Sequence, residues 1–307
     1  LTGLEKKGYL YVLLTGIFFS IEVIGYKSVF QEYRIPPILA AFTGISFSFL
    51  LVSPWCLATK VRRERIRTTL KRDTFAFFLG TTLNGIGVAL YYFALSKSEL
   101  GPASVLVKTT ALFNVLFGVV FLGERFSIRD RFGLLLAILG IYLMSTIRGF
   151  GLESLWILLS AFFFSFQSFL IKKYAPKIHP IEFAYLRLFV LAFWFGFFIF
   201  YQGIWEIIPL EIILRLGLYS FLGFFLGRAF FFAAHHFLPI GKLNSVMLLE
   251  PIFLLAFGIL IWGEEVSLAK LAGAFLVLLG ILLLVLPTRQ IAVASGGISP
   301  ESRQKIP

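Results

Sequence analysis

Apolar residues run in long blocks along this chain, and short polar or Pro/Gly-bearing stretches separate them. A bilayer core about 30 Å thick needs roughly 20 mostly apolar residues per crossing helix. On that scale the pattern predicts ten spanning helices, near 9–29, 36–58, 74–96, 102–122, 128–147, 152–173, 180–201, 212–235, 240–262 and 267–286. The breaks carry Pro36-Pro37, Gly101-Pro102, Pro180, Pro209 and Pro239. Gly123-Glu124 and Gly263-Glu264 end the fourth and ninth spans, and Ser127 and Ser267 stand as N-caps for the spans that follow. Lys6 and Lys7 precede the first apolar run, which reads as a spanning helix and not a cleaved leader.

The pattern also repeats. At an offset of 140, residues 101–143 align with 241–283 without a gap, and 13 of 43 positions are identical. The matches include Gly101/Gly241, Phe113/Phe253, Gly118/Gly258, Gly123/Gly263, Glu124/Glu264, Ser127/Ser267, Gly133/Gly273 and Gly140/Gly280. Apolar runs match by chance at Leu and Phe; coincident glycines and a Glu do not come so cheaply. A weaker match at an offset of 145 pairs Ser20 with Ser165, Glu22 with Gln167 and Lys27 with Lys172. Each half then holds five spans, residues 1–148 and 149–287, followed by a polar, disordered cytoplasmic tail at 288–307. Five is odd, so the second half enters the membrane from the opposite side, an inverted repeat about an axis in the membrane plane. The expected fold class is an all-α polytopic membrane protein with ten helices in two inverted five-helix repeats.

Composition agrees with lipid as the solvent. Charged residues make up only 14% of the 307 and apolar types 59%, against about 25% charged in soluble domains. The net charge of +12 would suggest nucleic acid in a soluble protein. Here the cations cluster between apolar runs, which fits the positive-inside rule instead. The connection after the second span carries Lys60, Arg62, Arg63, Arg65, Arg67, Lys71 and Arg72, seven cations in 13 positions. Placing it in the cytoplasm puts Arg125, Arg129, Arg131, Lys172, Lys173 and Lys177 inside too, with both termini. The lone cysteine, Cys56, excludes an internal disulfide or a Cys-based metal cluster.

These features resemble the drug/metabolite transporter superfamily, in particular EamA-like transporters. The likeness rests on the apolar run closing in Gly123-Glu124-Arg125-Phe126-Ser127, on Pro251 through Trp262 followed by Gly263-Glu264-Glu265-Val266-Ser267, and on the paired Gly133/Gly140 and Gly273/Gly280. Arg187 matches the Arg of the repeat's second helix; the first half departs from the pattern with Ala111 in place of Pro and Thr43 or Gly44 near the expected Arg. The resemblance implies a central cavity lined mainly by spans 1, 3, 4, 6, 8 and 9, and a peripheral place for the span of Arg187. It does not fix the substrate.

An ionisable side chain at the bilayer centre costs about 2.5–3.5 kcal/mol on insertion scales, so such residues face the bundle interior or water. The candidate substrate-binding residues are therefore Glu22, Asn84, Lys108, Gln167, Arg228 and Glu250, with Tyr91 as an aromatic wall beside Tyr92, and Asn244. Glu22 and Glu250 are the candidates for proton coupling. Lys108 sits two turns into the fourth span and Glu250 mid-span in the ninth, where Pro251 frees a backbone carbonyl. Either Glu250 or Glu22 could pair with Lys108. Arg228 suits a carboxylate or phosphate, or snorkels to an interface. Arg187 reads as structural, Asn114 as a lesser candidate, and Lys27 and Lys172 as snorkelling anchors. His235-His236 point about 100° apart on a helix, so they share no metal; they read as an interfacial pair.

The expected function is secondary transport of a small polar metabolite, an amino acid or similar zwitterion or organic anion, exported by alternating access around a midplane cavity. No Gly-Lys-Ser/Thr phosphate loop is present, so ATP is not the direct energy source, and neither a cofactor nor a metal is expected. The alternative is a membrane enzyme or flippase acting on a lipid or lipid-linked sugar. Its only His residues are His179, His235 and His236, and no nucleophile–base spacing recurs with them. The expected setting is a bacterial or archaeal cytoplasmic membrane. The expected partners are the bilayer, the substrate and a second copy of the chain.

Overall fold

The computed structural model describes residues 3–72, 74–97, 103, 106–123, 127–144, 152–174, 179–239, 242–243, 246–262 and 268–285. Every regular element among them is helical. In chain order they are α1 (Gly3–Tyr33), α2 (Pro37–Leu57), α3 (Lys60–Arg72), α4 (Thr74–Lys97), α5 (Thr109–Leu122), α6 (Ile128–Met144), α7 (Leu152–Tyr174), α8 (Pro180–Gln202), α9 (Leu210–Ala234), α10 (Glu250–Trp262) and α11 (Leu268–Val285). Six of these, α1, α2, α4, α7, α8 and α9, are long and apolar enough to cross a membrane. The tail at 288–307 lies outside the described residues.

Local chemistry sets the ends. α2 and α8 start on Pro37 and Pro180, where a missing N–H costs nothing. Gly203 takes φ 66°, and its N–H returns to Ile199 O and Phe200 O to close α8. At the start of α6 the Asp130 N–H donates to Ser127 Oγ (3.2 Å), and Ser127 N–H donates to Asp130 Oδ2 (2.9 Å), a reciprocal cap. Large apolar side chains such as Phe193, Phe197 and Phe200 on α8 point outward, as a lipid-facing helix requires. Helix α3 lies on the surface, with Arg62 stacked 3.6 Å over Trp55 and Arg65 paired with Glu182 of α8 at 3.6 Å.

Two expected spans are interrupted, and at equivalent places. The run expected at 102–122 is α-helical at Ala103 and Leu106, breaks at a turn over Val107–Lys108, and resumes as α-helix at Thr109. The run expected at 240–262 passes through a 3-10 turn, Met247–Leu249, before α10 starts at Glu250. Lys108 and Glu250 therefore sit at helix starts and not mid-helix. Pro251 falls in the first turn of α10, where it opens the helix without kinking it. In α9 the α geometry gives way to a π-helical stretch at Phe221–Gly227, a wide turn common at functional sites.

Contacts recur at repeat-related positions. Ser20 Oγ donates to Glu250 O (3.4 Å), and Ser165 Oγ donates to Thr110 O (3.0 Å). Lys27 Nζ donates to Leu95 O (2.9 Å), and Lys172 Nζ donates to His235 O (2.8 Å). Both lysines thus reach backbone carbonyls at helix ends; Lys27 is buried. They are capping groups and do not snorkel. Helices α6 and α11 cross through their paired glycines, Gly140 against Gly273 and Gly280 against Gly133. The residue numbers rise in opposite directions across this contact, so the two related helices run antiparallel.

A Cβ on Gly140 would stand 2.5 Å from Gly273 O and 2.7 Å from Val277 N. Both obstacles are backbone, so Gly140→Ala must push the helices apart. We expect a loss of about 1–3 kcal/mol, read as a lower thermal midpoint in detergent. An unchanged midpoint would contradict the contact.

Candidate functional site

A cavity of about 110 Å³ lies among α1, α4, α7, α9 and the starts of α5 and α10. Four ionisable side chains line it: Glu22 from α1, Lys108 before α5, Arg228 from α9 and Glu250 at the start of α10. Each reaches the cavity for a local reason. Lys108 and Glu250 stand at the two helix interruptions, where the chain turns inward. Glu250 also sits where the positive end of the α10 dipole favours an anion. Glu22 presses on Gly223 of the π-helical stretch, where any Cβ would collide with its carboxyl group. A wide turn with no side chain makes the room that this carboxylate occupies.

The pairings are specific. Lys108 Nζ lies 2.9 Å from Glu250 Oε2, and both side chains are nearly buried. This settles the open choice of partner for Lys108 in favour of Glu250. Tyr92 Oη donates to Glu22 Oε1 at 2.7 Å. The Arg228 guanidinium lies 4.4 Å from the Phe19 ring centroid, 5.7 Å from Phe231 and 5.9 Å from Phe164. Aromatic faces attract a cation but leave its N–H donors available. Arg228 therefore lines the cavity and does not snorkel. Glu22 and Glu250 both interact with it electrostatically. Tyr91 forms part of the wall.

The other expected residues lie elsewhere. Asn84 is fully buried behind the cavity, where its Oδ1 accepts from Arg187 Nη2 (2.6 Å) and Nε (3.1 Å). Arg187 also donates to Phe224 O at 3.3 Å in the π-helical stretch. It is wholly buried on the inward face of α8, and no residue of that helix lines the cavity. Its role is structural: it ties α4 and α8 to the irregular turn that accommodates Glu22. Gln167 is buried against Gly80, and neither its Nε2 nor Asn84 Nδ2 has a protein partner. Asn114 is buried on α5, outside the lining. Asn244 lies outside the described residues. His235 is buried, with Nδ1 2.8 Å from Phe231 O, while His236 is exposed.

Sequence reasoning missed the Phe19, Phe164 and Phe231 enclosure of Arg228 and the role of Tyr92 as a donor. With 38 Phe residues, no single ring stands out. The repeat offset was the usable signal, since it pairs Phe19 with Phe164.

Comparisons with known proteins bear on the family and the fold. The profile of the EamA-like transporter family matches residues 6–146 and again 151–286. A protein from Archaeoglobus fulgidus named an uncharacterized transporter is 26% identical over 275 residues, covering 80% of this chain and 93% of that protein. A similarly named protein from Clostridium kluyveri is 22% identical over 45% of this chain, and the match spans 44% of that protein's length. Mouse solute carrier family 35 member G1 is 26% identical over 45% of this chain and 35% of its own length. One solved crystal structure superposes with a TM-score of 0.74 at 16% identity, covering 92% of this chain and 97% of the other; that likeness concerns the fold. Multiple apolar helices and a family profile matched over nearly the whole chain make this a polytopic membrane protein, and the chain belongs to the EamA-like transporter family.

Proposed function

We propose that the chain is a secondary transporter that carries a small zwitterion or organic anion through the cavity by alternating access. The observation that carries this reading is the convergence of Glu22, Lys108, Arg228 and Glu250 on one cavity deep among apolar helices. Embedding four ionisable groups is costly, and such groups mark substrate or ion paths. Two acids and two bases make the lining formally neutral, which suits a ligand bearing both charges. Arg228 offers the carboxylate site, because it lines the cavity while aromatic rings hold its faces. The interrupted helices before α5 and α10 bring backbone ends to the same level, an arrangement that transporters with discontinuous helices use.

Ten spans in two inverted halves supply the alternation. Support comes from the antiparallel α6–α11 crossing and from the repeat-related bonds of Ser20 with Ser165 and of Lys27 with Lys172. The cationic helix α3 would mark the cytoplasmic face, with both termini on that side, and the direction would be export from the cell. Glu22 and Glu250 would carry any coupled proton.

The test is a thermal-shift screen of the purified protein against amino acids and organic anions, since a ligand stabilises the state it binds. The stabilising compounds are then followed for flux in sealed liposomes. Saturable flux of at least one stabilising compound is the expected result. Chemical turnover of that compound in detergent, without flux in vesicles, would replace transport with the enzyme reading.

A further inference from the structure

The cavity lining is almost symmetric. Most lining residues come in pairs related by the repeat, such as Phe19 with Phe164, Val88 with Arg228, and Thr110 with Glu250. Three residues break the rule. Glu22, Tyr92 and Phe224 line the cavity, but their counterparts Gln167, Phe232 and Asn84 do not. Those counterparts are buried to within 1% of full burial. Two of them keep an amide nitrogen without a protein partner, Gln167 Nε2 and Asn84 Nδ2.

Two of the three exceptions also segregate by level; the third pair, Asn84 and Phe224, shares the level of Arg187, which bonds to both. Helix α3 leads directly into α4, and Phe75 at the start of α4 meets Tyr174 at the end of α7, 5.6 Å between ring centroids. The end of α9 adjoins the same level through Lys172 and His235. Gln167 and Phe232 lie in the last two turns of α7 and α9, toward α3. Gly8 near the start of α1 packs on Leu238 just beyond α9, so α1 also starts at that level. Glu22 and Tyr92 lie in the halves of α1 and α4 that point away from it. The cavity is thus extended away from α3 and closed toward it.

We propose that the conformation open to the α3 face brings Gln167, Phe232 and Asn84 into the cavity and withdraws Glu22, Tyr92 and Phe224. This rests on the transporter reading and adds to it which residues the substrate meets in each state. Lys108, Arg228 and Glu250 stay in place, because their counterparts Leu248, Val88 and Thr110 already line the cavity. The exchange therefore removes one carboxylate and changes the formal charge of the lining from neutral to +1. A substrate carboxylate is held more firmly on the α3 side, and a substrate ammonium more firmly on the other. Asn84 must release Arg187 to make the change.

The test uses the full chain with Cys56→Ala, reconstituted in one orientation and probed with a charged, membrane-impermeant methanethiosulfonate. Gln167→Cys and Phe232→Cys should react from the α3 face, and at least about tenfold more slowly from the opposite face, as state-specific exposure demands. Glu22→Cys should show the reverse preference. Gln167→Cys alone supplies the α3-side readout if Phe232→Cys fails to fold. The proposal is overturned if the α3-side reporters stay unreactive from both faces while Glu22→Cys reacts. It is equally overturned if all react from one face. Labelling needs no substrate, so flux with the wrong labelling rejects the exchange alone, and correct labelling without flux rejects transport alone.

Discussion

Lys108→Met and Glu250→Gln are each expected to destabilise the protein by about 3–5 kcal/mol, because each leaves its partner as an uncompensated buried charge. The two groups are 2.9 Å apart with side chains about one-tenth exposed, so solvent screens them little. The double variant, Lys108→Met with Glu250→Gln, removes both formal charges and should recover most of the lost stability. Its transport should stay low, since the cavity has lost two of its four ionisable groups. A double-mutant cycle read by thermal unfolding, with flux measured in parallel, separates the two roles. Single variants within about 0.5 kcal/mol of the parent would mean that the pair is solvated. Full transport by the double variant would make it a structural pair.

Glu22→Gln carries the second large effect, and it falls on activity. The amide keeps an oxygen to accept from Tyr92 Oη, which lies 2.7 Å from the carboxylate, and fits the same space against Gly223. Folding should therefore change by less than about 1 kcal/mol. Losing a charge-assisted contact worth about 1.5–3 kcal/mol corresponds to roughly ten- to hundredfold slower transport. The variant also lacks a titrating group at this point of the cavity. Its flux should therefore depend less on pH between about pH 5 and 8 than the parent's, with Glu250 left as the one cavity carboxylate. Equal rates for parent and variant across that range would remove Glu22 from the site.

Much of this was legible in the sequence because membrane burial writes itself in long apolar runs and in rare embedded charges. Glu22, Lys108, Arg228, Glu250 and Tyr91 were all identifiable by depth and type, and the structure gathers them in one cavity. Hydropathy could not reveal the interruptions at Val107–Lys108 and Met247–Leu249, since a turn between apolar residues has the same composition as a helix. Arg187 shows a second blind spot. The resemblance implies a peripheral span, yet its inward face buries a guanidinium that donates to Asn84 Oδ1 and Phe224 O. Asn84 and Gln167 were legible as polar residues in apolar helices. Their burial outside the cavity lining is set by tertiary packing, which a linear pattern does not encode. The π-helical stretch at Phe221–Gly227 follows from close packing of Glu22 on Gly223, a tertiary cause with no local signature beyond two glycines.

The proposed inversion of the two halves would underlie alternation, orientation and the exchange of lining residues. The most direct measurement is the sidedness of Glu124→Cys and Glu264→Cys, the repeat-related acids, in the Cys56→Ala chain within sealed vesicles. The account predicts that an impermeant thiol reagent reaches Glu124→Cys from the face that carries α3, and Glu264→Cys only from the other. Labelling of both from a single face would contradict it.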